Sequence, residues 1–168
     1  MDDKRHMLVH FLAAIAYRAQ KALRGCSEDF GSFSAGNESR TPSQLVRHIT
    51  SVLGYARTFF HGGKYRPDEL PTLSEEIVRM HTMIEDLAND IRSGLPFLAP
   101  LTEERLLQGP LADAMTHVGQ LAMLRRLAAE PVPPENFIVA DIDPNRLGSA
   151  QPEPASPDEV WPEAPRGR

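Results

Sequence analysis

Apolar residues recur along this chain at three- and four-residue intervals in four separate stretches, and nowhere do they alternate with polar ones over the length of a strand. The first stretch, residues 3–24, places Met7, Leu8, Phe11, Leu12, Ile15, Ala19 and Leu23 on one side. Asp2 or Asp3 is positioned to cap its start, and Gly25 supplies the residue type that commonly ends a helix. Residues 26–40 read as a loop rich in Ser, Gly and acids. The second helix has the clearest start, with Thr41 as cap, Pro42 at the first helical position and Gln44 completing a capping box. Leu45, His48, Ile49, Val52, Tyr55, Ala56 and Phe59 then share a side, and Gly62-Gly63 stops it. Thr72 and Glu75 offer a second capping box, ahead of a stripe of Ile77, Met80, His81, Ile84, Leu87, Ala88 and Ile91 that closes at Gly94. A short helical turn is expected over residues 102–107, capped by Thr102, and a last long helix over residues 110–129. Its core residues are Leu111, Ala114, Val118, Leu121, Leu124 and Ala128.

With no Asn-Gly or Asp-Gly hairpin signal, the pattern predicts an all-α four-helix bundle over residues 1–142. Residues 135–140 have the composition of a short piece that folds back on the bundle. Residues 143–168 form a Pro-rich, extended C-terminal tail with prolines at 144, 152, 154, 157, 162 and 165. Few aliphatic residues there offset the entropy of ordering, so the last 20–25 or so residues are expected to be loosely held unless a partner surface receives Trp161.

Composition narrows the function classes. A net charge of −5 argues against nucleic acid as partner, because phosphate-backbone binding needs a basic face. No stretch approaches the roughly 18–20 uncharged apolar residues of a membrane span. The lone Cys26 excludes an intramolecular disulfide and fits a reducing, cytoplasmic setting. It sits in Gly25-Cys26-Ser27-Glu28-Asp29, among acids, where nothing cationic would make it a strong nucleophile.

The chemistry rests with the six histidines. His48 lies inside the stripe of the second helix, while Asp113 and His117 are four apart and stack on one face of the last. Together His48, Asp113 and His117 can assemble around one divalent transition metal, and two nitrogens with one carboxylate suit Zn, Ni or Fe(II). The same residues also suit hydrogen-bonded core histidines and an acid favoured by the helix dipole. His81, on the inner stripe with Glu85 four residues on, is a rival ligand for the third position. His6 and His10 read as solvated, and His61 as a cation at a helix C-terminus.

The string Asp113-Ala114-Met115-Thr116-His117-Val118-Gly119-Gln120-Leu121 resembles the last-helix signature of the DinB-like superfamily, which includes YfiT-type metal-dependent hydrolases and thiol-dependent transferases. Ser43-Gln44-Leu45-Val46-Arg47-His48-Ile49 is similar to the family's first ligand helix. The resemblance covers roughly residues 5–130 and implies His48, Asp113 and His117 as the three metal ligands. A His is common in the family where this chain has Asp113. Position also suggests that Gly119 permits close helix approach and that Gln120 hydrogen-bonds a ligand. The resemblance implies a small-molecule substrate, with a low-molecular-weight thiol as one candidate, and a homodimer. The competing class is a non-catalytic helical dimer or stress-response binding module with a vestigial site. No Ser-His-Asp order, Gly-rich phosphate loop or CxxC motif points elsewhere.

Overall fold

The computed structural model describes residues 2–98 and 100–154. Five α-helices run along them: α1 (Asp3–Leu23), α2 (Pro42–His61), α3 (Leu73–Arg92), the short α4 (Glu103–Leu106) and α5 (Ala112–Leu127). Among the described residues there is no strand. The starts are fixed where the sequence places them. Asp2 accepts from the Arg5 amide, and Thr102 from the Arg105 amide. Thr41 and Gln44 close one reciprocal box at 3.0 and 3.3 Å, and Thr72 and Glu75 close another, at 3.1 Å in each direction. Caps of this kind contribute about 0.5–2 kcal/mol each.

Packing arranges the helices as a ring in which α1 lies against α3 and α5, and α2 lies against the same two. Helices α1 and α2 are therefore diagonal across the bundle. The segment joining them, residues 24–41, has to cross its end, and it does so through a 3-10 turn at Glu28–Ser32 that buries Phe30. The core between the helices is filled by Leu12, Ile15, Ile49, Leu53, Met80, Ile84, Leu87 and Leu121, all fully buried.

Two details of the apolar pattern are corrected. Met7 is 67% exposed rather than part of the stripe, and on α2 the buried line runs Leu45, Ile49, Leu53, Ala56 and Phe60. Tyr55 stands outside, edge-on to Phe59 at 4.8 Å. Apolar residues occur on both sides of this helix, so a rotation of one position exchanges one plausible line for another. The rotation moves His48 from the middle of the stripe to its edge.

Residues 107–111 carry a single π-helical turn that joins α4 to α5 without a break. Pro110 explains it. A proline inside an α-helix has no N–H to give and presses on the carbonyl one turn back, and a widened turn relieves both. The expected gap between a short turn and the last helix is thus bridged.

After α5 the chain folds back along α1. Glu135 is buried, with the Tyr17 hydroxyl donating to it and the Lys21 ammonium 3.4 Å away. Burial first, and then that hydrogen bond, push the Tyr17 phenol up to about 12. The Arg18 guanidinium lies 3.7 Å over the Phe137 ring.

The chain then crosses to α3, and over residues 143–154 the sequence expectation of a loosely held tail fails. Leu147 is 4% exposed and belongs to the core. His81 Nδ1 meets the Leu147 carbonyl at 2.9 Å, Arg92 donates to the Pro144 carbonyl, and Arg24 donates to the carbonyls of Gln151 and Pro152 at 2.9 and 2.8 Å. Prolines lose a donor but keep their carbonyls, and arginines on the helices supply what those carbonyls accept. Residues 155–168, including Trp161, lie outside the described residues.

Two consequences are measurable. Gly54 of α2 faces the Tyr65 ring so closely that an added Cβ would overlap it. Gly54→Ala should therefore lower stability by about 1–3 kcal/mol despite the better helix propensity of Ala. Chemical denaturation checks this, and Tyr65→Ala in the same chain should recover part of the loss. The second consequence concerns acid. Burial holds the His81 imidazole below its ordinary pKa, opposed in part by the Leu147 carbonyl. The unfolded chain, whose histidines titrate near about 6.5, then takes up the proton first, so stability falls as pH drops below that value until native His81 also titrates. His81→Gln, which donates an N–H and does not titrate, should flatten that part of the stability–pH curve.

Candidate metal centre

Two helices that pack on each other carry the site, His48 on α2 and Asp113 with His117 in the first turns of α5. The π turn containing Pro110 ends just before Asp113, and it sets the rotation at which α5 presents both residues to α2. Each of His48, Asp113 and His117 offers one ligand atom, and these atoms lie within 4.8 Å of one another. The three form a group that could hold a metal ion. The two imidazoles meet edge to face at 4.6 Å between centroids. His117 Nε2 is 3.3 Å from Asp113 Oδ1, close to the roughly 3.3 Å edge of a tetrahedral ion with bonds of about 2.0–2.1 Å.

The orientation of His117 is set from behind. Its Nδ1 lies 2.9 Å from Gln120 Oε1, an oxygen that only accepts, so Nδ1 donates, and in the neutral ring Nε2 faces Asp113 with its lone pair. A lone pair facing a carboxylate is a poor contact unless a proton or a cation lies between them. His48 is held below its ordinary pKa by burial first, then by the charge of Arg40 and by His117, with Asp113 opposing. That keeps it neutral, the form that ligates.

The depth of the site differs from the sequence expectation. His117 is 8% exposed, but His48 is only half-buried and the Asp113 side chain is 51% exposed. The group therefore sits at the rim between α2 and α5, not in the bundle interior. The one-position rotation of α2 is the cause, and an edge location leaves room for another molecule.

The remaining candidates are placed elsewhere. Among the described residues His81 belongs to no ligand group; its Nδ1 is spent on the Leu147 carbonyl. His6 and His10 are exposed, and His61 reaches Asp90 at 2.9 Å beside the end of α2. Gly119 does not mediate close helix approach, because a Cβ there meets nothing within 4 Å. Cys26 has Arg125 nearby, contrary to its acidic sequence context, yet burial outweighs that charge and pushes the thiol up.

The sequence reading missed three arginines. Arg40, Arg47 and Arg66, from three separate stretches, line one groove of about 400 Å³ with His48 at its side. No spacing rule joins positions 40, 47 and 66. Neither a family model, nor a curated protein, nor a solved structure matches this chain.

Proposed function

We propose that this chain is a DinB-like metal-binding protein in which His48, Asp113 and His117 hold a divalent transition metal, Zn, Ni or Fe(II). On this reading it acts as a metal-dependent hydrolase or thiol-dependent transferase on a small molecule. The observation that carries it is the convergence of the three ligand atoms, with His117 turned toward the group by Gln120. The helix strings at 43–49 and 113–121 and the all-helical fold support it. Three protein ligands leave coordination positions open, and the rim location gives a substrate access to them. When bound, such an ion supplies Lewis-acid polarisation of a carbonyl or lowers the pKa of a thiol or water. The protein's own part is to fix geometry. Gln120 keeps the His117 tautomer, and the depressed His48 pKa keeps that ring available at neutral pH.

Two assays separate the reactions. The full chain, loaded in turn with Zn, Ni and Fe(II), is given an activated ester alone, and a small thiol together with an aryl halide. Ester turnover without thiol assigns hydrolysis; halide displacement that needs the thiol assigns transfer. Either activity should vanish in His117→Ala. Activity that survives in that variant contradicts a part for His117 in the reaction, and no turnover in either assay contradicts both hydrolysis and thiol transfer.

A further inference from the structure

Arginine placement on this acidic chain narrows the substrate class. The net charge is −5, and most of the partly buried arginines are matched to acids or carbonyls: Arg57 to Asp86 and Asp90, Arg5 to Glu103, Arg24 to Glu153. Arg47 is likewise taken, by Glu69 at 2.9 Å and Glu76 at 3.9 Å. Arg40 and Arg66 are exposed and line the same groove as His48, and no described residue gives either one an ion pair or hydrogen bond. Arg40 comes to this groove from the turn before α2 and Arg66 from the segment after it, while Glu38 borders Arg40 in the neighbouring cavity.

Arg40 also borders a second cavity of about 600 Å³, walled by Leu45, Met123 and Leu124 and bounded by Gln120, the partner of His117. His48 thus borders a groove that carries Arg40, Arg47 and Arg66, and Gln120 borders an apolar-walled cavity, with Arg40 common to both. We infer that the small molecule acted on at this site carries a terminal oxyanion, a carboxylate or a phosphate, seated on Arg40 and Arg66 in the groove beside His48, with its apolar body against Leu45, Met123 and Leu124. The planar guanidinium fork matches both oxyanions through paired N–H donors. The inference rests on the metal reading for what happens to the substrate, while the groove itself is separate from the three ligands.

The test uses the full chain loaded with Zn and titrated calorimetrically with 3-phenylpropanoate, phenyl phosphate and the neutral 3-phenylpropanamide. At least one anion should bind about tenfold or more tightly than the amide, and the better of the two identifies the oxyanion. Arg40→Gln combined with Arg66→Gln should remove that preference while bound zinc per chain stays the same. An anion that binds no better than the amide overturns the inference. So does an anion preference that persists in the double variant, since the anion would then be sitting on the zinc alone. Repeating the titration on zinc-free protein separates the two claims. A preference that still depends on Arg40 and Arg66, in a chain that takes up no zinc, retains the oxyanion groove and removes the metal reading.

Discussion

Truncation after Arg146 is expected to lower the melting temperature by about 10 °C. The shortened chain loses Leu147 from the core, where its burial is worth about 1.5–3 kcal/mol. It also strips the His81 Nδ1–H of its carbonyl, and an orphaned buried donor costs about 1–3 kcal/mol. The carbonyls of Gln151 and Pro152 that receive Arg24 go too. Together these make about 3–5 kcal/mol, and each kcal/mol moves the melting point of a chain this size by about 2–4 °C. Leu147→Ala isolates the packing part and should account for about 2 kcal/mol or more of the loss. A truncated chain that melts with the full-length protein would show that residues 147–154 add nothing to the core.

The second large effect concerns the ligand set. His117→Ala should abolish metal retention, well beyond the roughly 10–100-fold weakening that follows from losing a ligand's hydrogen-bond partner alone. Wild-type protein in excess zinc should melt higher than its metal-free form, because a ligand at about 1,000 times its Kd stabilises by about 4 kcal/mol. The variant should show no such rise. Asp113→Asn, which keeps an oxygen but loses the charge, should fall between the two. Binding should weaken as pH falls through the histidine range, since protons compete for the same nitrogens. Competition against a chelating dye over several pH values reads all of this. A variant that holds zinc as tightly as wild type would remove His117 from the site.

Much of the fold was legible because it rests on local rules. Thr41, Thr72 and Thr102 cap where capping chemistry requires, and the leucine and isoleucine spacings of α1, α3 and α5 face the core as read. On α2 the apolar pattern admits two neighbouring rotations, and only packing against α3 and α5 selects the one that puts His48 at the rim. The π turn at 107–111 follows from Pro110, yet the sequence alone reads equally well as a helix start. Residues 143–154 were misjudged because hydropathy counts side chains, whereas that segment is held largely by its own carbonyls. The candidate group His48, Asp113 and His117 was legible in part because Asp113 and His117 are one helical turn apart and Gln120 is about another. The arginine groove could not, because it is assembled by tertiary packing from positions 40, 47 and 66.

X-ray absorption on the zinc-loaded full chain tests the central claim most directly. The spectrum should show a nitrogen/oxygen shell at about 2.0–2.1 Å. Outer-shell scattering should come from two imidazoles in the wild type and from one in His48→Ala. Zinc bound without imidazole scattering, or a spectrum that His48→Ala leaves unchanged, would contradict a centre built from His48, Asp113 and His117.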